Sequence, residues 1–236
     1  MNNLKNNFFI FFALIFCGFL SFAQGTFSLD SNGVTVKCTG CVAGDTGIVG
    51  GQTYTAYSTA SLALKSKSDA DWNRVVTSLV TDMSDLFLNQ ATFNQDISSW
   101  DTSSVTTMKN MFSDASAFNQ DIGDWDVSNV LNMQRTFYKA VAFNNGGSPS
   151  ISTWDVSRVV NMYQMFFGAS VFNQDINLWD TSSVETMLGM FNGASAFDKP
   201  LNTWNVSSVT DMSQMFLNAR AFDQDLSNWN VSSVRN

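Results

Sequence analysis

Residues 100–118 read WDTSSVTTMKNMFSDASAF, and residues 119–125, NQDIGDW, carry the chain to the next tryptophan. Almost everything from Trp72 onward is a copy of this stretch. Tryptophans fall at 72, 100, 125, 154, 179, 204 and 229, so the period is 25 residues, with three extra residues between Trp72 and Val80 and four between Phe143 and Trp154. Loops absorb insertions at small entropic cost, which predicts a loop at each place. Self-similarity at a fixed period of this length is the mark of stacked repeats. Residues 72–236 therefore predict a repeat solenoid of six full coils and a truncated seventh.

Aligned, the copies give W-[DN]-x-S-x-V-x-x-M-x-x-M-F-x-x-A-x-x-F-[ND]-x-x-[IL]-x-x-W. One ladder is Met83, Met108, Met133, Met162, Met187 and Met212; beside it runs Phe87, Phe112, Phe137, Phe166, Phe191 and Phe216. A second Phe ladder is Phe93, Phe118, Phe143, Phe172, Phe197 and Phe222. Ser-x-Val-x-x-Met is short, β-branched and Thr-rich, and predicts a strand. Met-Phe-x-x-Ala predicts a short helical turn, and Phe-Asn-Gln-Asp-Ile-x-x-Trp an extended return with polar turn residues. One unit alone cannot bury two Phe, a Trp and a Met, whereas stacked units bury them against their own copies. The expected fold class is an α/β repeat solenoid with one short strand and one short helical turn per 25-residue coil.

Composition excludes several functions. The 236 residues include no histidine, which rules out Ser-His-Asp and Cys-His catalysis and any zinc site with a histidine ligand. A formal charge of −8 argues against a nucleic-acid partner, which needs clustered Lys and Arg, and against docking on an anionic membrane. Asp101, Asp126, Asp155 and Asp180, continued by Asn205 and Asn230, follow the tryptophans, and such side chains cap turns through backbone N–H groups. A calcium site needs six or more converging oxygens, and Asn and Pro200 interrupt the acidic ladders. A glycosidase needs a carboxylate pair that should be unique, and these recur in every unit. No catalytic residue, metal or cofactor is expected.

The N-terminus sets an expected compartment. Lys5, an apolar run from Phe8 to Leu20, and Ser21-Phe22-Ala23 predict a signal peptide, residues 1–23, too short in its apolar run to span a bilayer. No membrane insertion is expected once it is cleaved. Residues 24–71 predict a small β/α N-terminal cap: Asn32-Gly33 is a turn signal before a β-type run, Gln52–Tyr57 a strand, and Ser58–Asp71 turns helical. Cys38-Thr39-Gly40-Cys41 forms a C-x-x-C. A local disulfide suits an exported chain and needs nothing further; free thiols are the second reading. Zinc lacks further ligands, and a redox pair lacks its strand–helix setting.

The repeat, with WDVSNVLNM followed by F, A and FN, and with FNQDISSWD between copies, resembles the BspA-like leucine-rich-repeat surface proteins of bacteria, whose roughly 25-residue unit is shared with mycoplasma lipoproteins. The likeness spans residues 72–236, and the leader with NGVTVKCTGC is similar to segments preceding such arrays. It implies a leucine-rich-repeat-like solenoid, display outside the cell, and adhesion or protein binding, with no catalytic residues. The expectation is a secreted or cell-surface module that binds an extracellular protein or glycan. Its recognition surface is expected at the pairs that differ inside Val-x-x-Met: Thr106-Thr107, Leu131-Asn132, Val160-Asn161, Glu185-Thr186 and Thr210-Asp211. The alternative is a structural spacer or surface-layer component that presents a missing C-terminal domain. The chain stops one residue before the next ladder Met would fall due, which is read as a fragment of a longer protein or an open last coil.

Overall fold

A computed structural model describes residues 25–235; the expected signal, residues 1–23, lies outside them. The segment from ladder Met to Ala decides the architecture. Met108–Met111 closes one β-turn, with the Met111 N–H donating to the Met108 carbonyl at 3.1 Å, and Phe112–Ala115 closes a second at 3.0 Å. The third residues of these turns, Asn110 and Asp114, lie at φ 54° and 58°. That left-handed conformation is accessible to Gly and tolerated by Asn and Asp, and costs other L-residues more. The same two positions are left-handed in every unit. They are Asp85, Asn110, Arg135, Gln164, Gly189 and Gln214 after the ladder Met, and Asn89, Asp114, Lys139, Gly168, Gly193 and Asn218 after the ladder Phe.

A chain that reverses the sign of φ at every fourth residue cannot be α-helical, so the helical turn expected from Met-Phe-x-x-Ala does not form. The expected strand contracts to a single bridged residue per unit: Asp82, Thr107, Asn132, Asn161, Thr186 and Asp211 pair in parallel, each with the next. Among the described residues the one α-helix is Thr59–Leu64, and no strand lies beyond Leu79. These findings overturn the α/β, leucine-rich-repeat-like solenoid expected above. Turns and loops with single-residue bridges build the repeats instead.

Hydrogen bonds between units replace the missing secondary structure. The amides of Met108, Asn110, Phe112 and Asp114 donate to the carbonyls of Asn132, Gln134, Thr136 and Tyr138 in the next unit at 3.0, 2.9, 2.9 and 2.7 Å. Buried backbone groups must be paired, and alternate amides of each unit find their partners one unit further along. The aromatic ladders sit inside this frame. Phe112 stacks on Phe118 of its own unit at 3.8 Å between ring centroids and on Phe137 of the next at 5.6 Å, and both Phe ladders are buried until the last unit. Offset stacking of this kind adds to area burial. Each indole is also tied: Nε1 of Trp100, Trp125, Trp154, Trp179, Trp204 and Trp229 donates to a main-chain carbonyl near the preceding tryptophan, at 2.9–3.2 Å. Trp72, with no unit before it, is buried with its Nε1 unpaired.

The N-terminal part covers the first unit. Strands β1 (Thr26–Leu29) and β2 (Val36–Thr39) pair antiparallel around Asn32, whose Oδ1 accepts from the amides of Val34 and Thr35. β3 (Thr46–Val49) and β4 (Gln52–Ser58) pair antiparallel through Gly50-Gly51, both at positive φ, as a tight hairpin turn requires. α1 (Thr59–Leu64) begins at a capping box of Ser58 and Ser61. β4 also pairs in parallel with β5 (Val75–Leu79), so the first insertion is a strand where a loop was expected. Cys38 and Cys41 are joined by a disulfide, with Cα atoms 5.8 Å apart.

Phe137, fully buried between its neighbours in the ladder, and Leu131, 39% exposed six residues earlier, give a paired test. Phe137→Ala is expected to lower unfolding free energy by about 3–5 kcal/mol, and Leu131→Ala to change it by no more than about 0.5 kcal/mol, in urea denaturation followed by tryptophan fluorescence.

Candidate functional site

The five pairs inside Val-x-x-Met lie along one edge of the stack, in register. The first member of each pair, Thr106, Leu131, Val160, Glu185 and Thr210, is exposed. Its backbone is held from both sides: the Leu131 amide donates to the Thr106 carbonyl at 2.9 Å, and the Leu131 carbonyl accepts from the Val160 amide at 2.9 Å. The row therefore presents four kinds of side chain, with Thr at both ends, on a fixed backbone.

The second members behave otherwise. Thr107, Asn132, Asn161, Thr186 and Asp211 are half-buried, and each is the bridged residue of its unit. Asn132 Oδ1 accepts from the Gln134 amide and Asn161 Oδ1 from the Tyr163 amide, both at 2.9 Å; Asp211 Oδ1 accepts from Ser213 at 3.0 Å. Thr107 and Thr186 do the same less closely through Oγ1. These side chains start the turn that follows. The geometry thus divides the expected surface into an exposed outer row, in which the Thr106 and Thr210 hydroxyls donate to the carbonyls of Thr81 and Glu185 at 3.1 Å, and an inner row occupied with the turn.

The acidic ladders are occupied as well. Asp101, Asp126, Asp155 and Asp180, then Asn205 and Asn230, each accept from the amide of the serine two residues on, at 3.0–3.2 Å. A further ladder links units: Asn94, Asn119, Asn144 and Asn173 each accept through Oδ1 from the amide at the equivalent position of the next unit, at 2.8–3.0 Å. Hydrogen bonds from the Ser157 side chain and amide hold the Asp155 carboxyl below its ordinary value. Among the described residues no three Asp, Glu or Cys side chains gather as a metal-binding group would.

The second insertion is also structural. Asn144–Thr153 folds into two short 3-10 turns, Asn145–Gly147 and Pro149–Thr153. Fully buried Asn145 anchors them, accepting from the Ile122 amide at 2.9 Å and donating to the Ser148 carbonyl at 3.0 Å. Asp121 receives Ser150 Oγ at 2.7 Å and the Gly123 amide at 3.0 Å. Burial would raise the Asp121 carboxyl, but these bonds and those from Ser148 and Asn145 outweigh it and leave it below the ordinary value.

A second variable set escapes the sequence reading because it lies in the segment assigned to a helical turn. The residues next to the ladder Met and Phe, among them Arg135, Tyr138, Lys139, Tyr163, Gln164 and Phe167, are half-buried or exposed and differ from unit to unit. The signal for them was composition: outside the leader, Tyr138 and Tyr163 are the tyrosines of the chain.

With this geometry in place, comparison with known proteins adds one result. The family model described as "Mycoplasma protein of unknown function, DUF285" matches residues 55–149 and 145–236. The chain belongs to this family. The two DUF285 matches meet inside the second insertion, and the first begins in the leader and includes the first insertion. No curated protein and no solved structure matches. Among the described residues no helix is long and apolar enough to cross a membrane.

The lowered carboxyls set an expected pH response. A group whose folded pKa lies below its unfolded value stabilises the fold above the unfolded value and loses that contribution as pH falls through the folded one. With the ordinary Asp value at 3.8 and Asp121, Asp155 and Asp225 all lowered, the thermal midpoint should be level from neutral pH to about 5 and drop below about 4. Asp121→Asn should shrink that drop in calorimetric scans across the acid range.

Proposed function

We propose that this chain is a secreted or cell-surface repeat protein that binds an extracellular protein or glycan without catalysing a reaction. The observation that carries the reading is the outer row, Thr106, Leu131, Val160, Glu185 and Thr210. Equivalent main-chain bonds hold each of these residues, while the exposed side chain varies along the row between Thr, Leu, Val and Glu. A framework that fixes the backbone while the exposed side chains change is what specific recognition requires. Export is supported by the apolar run and Ser-Phe-Ala of residues 1–23, and the surface role by the resemblance of the repeat to BspA-like surface proteins. A non-catalytic role is supported by the engagement of the ladder Asp residues in turn capping. The partner is an extracellular protein or glycan, with neither nucleic acid nor membrane lipid as ligand, in keeping with the acidic balance.

A spacer role is the second reading, favoured by the unbroken run of inter-unit bonds from Met83 to Gly193. Replacing the five outer residues together with Ser, while leaving Thr107, Asn132, Asn161, Thr186 and Asp211 in place, separates the two. A binding module loses adhesion to immobilised matrix proteins or glycans with its thermal midpoint unchanged. A spacer keeps whatever adhesion it had, and that result would sink the recognition assignment.

A further inference from the structure

We propose that the turn face of the third and fourth units, built on Arg135 and Lys139, docks a carboxylate-rich segment of a protein partner. Three independent observations point there, and the proposal rests on the binding-module reading above.

The first is electrostatic. The chain carries 20 acidic against 12 basic residues, so a cation should readily find an internal partner. Yet among the described residues the ion pairs are those of Lys37 with Asp30 and of Lys65 with Asp69 and Asp71. Arg135 and Lys139, like most cations among the described residues, have none, and Arg135 is set apart by the hydrogen bonds that hold it. Arg135 Nε donates to Gln164 Oε1 at 2.8 Å and Nη2 to the Tyr163 hydroxyl at 3.3 Å. Its Cζ lies 5.1 Å from the ring centroids of both Tyr138 and Tyr163, within cation–π reach, and the Lys139 ammonium lies 5.2 Å from that of Tyr138. The guanidinium is thus oriented by its hydrogen bonds, half-buried beside two aromatic rings, with its Nη1 edge uncommitted and available for bidentate carboxylate recognition.

The second is conformational. Along the two left-handed ladders, Gly, Asn or Asp stands at every position except Arg135, Lys139, Gln164 and Gln214. Three of these four exceptions are in this cluster, at φ 54°, 52° and 51°. A left-handed L-residue without a short polar side chain is strained, and such strain collects where the side chain is needed for a site. Room is left for them by the next unit: a Cβ on Gly168 would lie 3.3 Å from Lys139 Cγ, and one on Gly189 3.3 Å from Gln164 Cγ.

The third observation selects the partner. Phe167 stacks on Tyr138 at 4.8 Å, and the tyrosine rings flank Arg135, so the aromatic faces are largely taken and do not offer the open platform that stacks a sugar. The presented chemistry is cationic and edge-on. Beside it lies a shallow, open depression of about 360 Å³ lined by Gln134, Arg135, Asn161, Tyr163 and Thr186. Tyr and Arg are also the residues that dominate protein–protein contacts.

The test uses a fluorescein-labelled oligoglutamate peptide, an oligolysine control and an oligogalacturonate competitor, in polarisation titrations at low and physiological salt. The whole protein is compared with Arg135→Gly/Lys139→Asn, substitutions that restore the residue types found at these positions in other units. The expected result is salt-sensitive binding of oligoglutamate only, weakened about tenfold or more in the variant, with a raised thermal midpoint because the strain is relieved. The proposal is overturned if the protein ignores oligoglutamate, if the variant binds as well, if the uronate outcompetes the peptide, or if the midpoint falls. Loss of adhesion on replacing the outer row, with oligoglutamate binding absent, rejects this site and keeps the binding module. Oligoglutamate binding with adhesion unaffected by the outer row rejects the row and keeps this site.

Discussion

The hydrogen bonds from alternate amides of one unit to the carbonyls of the next are the constraint on which the structure depends. Turns with left-handed residues leave backbone groups facing away from their own unit, and a buried unpaired amide is costly. Asn110, Arg135 and Gln164 all donate across the unit boundary at 2.9 Å. The aromatic core follows from this registry, because Phe112, Phe137 and Phe166 can stack only if their backbones repeat at the same height. The tryptophans add a second tie through their indole N–H groups, so the boundary is both bonded and packed.

The same constraint sorts the surface. Side chains that terminate or start turns, such as Asn132, Asp126 and Asn145, are bound to backbone and hold the frame. Side chains that the frame leaves over occupy two edges: the row beginning at Thr106, and the turn face around Arg135. On the first, exposure follows from the direction of the pinned backbone. On the second, Arg135, Lys139 and Gln164 stand where turn chemistry favours Asn, Asp or Gly, and this local conflict separates them from drift at exposed positions.

The period and the ladder residues were legible in the sequence because a buried position meets the same neighbours in every unit and so keeps the same side chain. The local backbone was not. Met-x-x-Met-Phe-x-x-Ala carries apolar residues at three- and four-residue spacing, as a helix face does, and the opposing signal, Asn, Asp or Gly two residues after each Met and Phe, is masked in the central units by Arg135, Lys139 and Gln164. Ser-x-Val-x-x-Met has strand composition but bridges at one residue, since the turns on either side leave no length for more. The pairs inside Val-x-x-Met were legible as variable. That their second members all bear an acceptor oxygen, in Thr107, Asn132, Asn161, Thr186 and Asp211, marks them as turn starters and could have divided the pairs beforehand. The insertion before Val80 was unreadable as a strand because its partner, β4, lies in the leader.

The most direct measurement is of scalar couplings across hydrogen bonds by NMR on isotopically labelled protein. The account requires couplings from the amide nitrogens of Asn110 and Arg135 to the carbonyl carbons of Gln134 and Tyr163, in neighbouring units. Couplings from Phe112 or Ala115 to carbonyls four residues earlier in the same unit, as an α-helical turn would give, would contradict it.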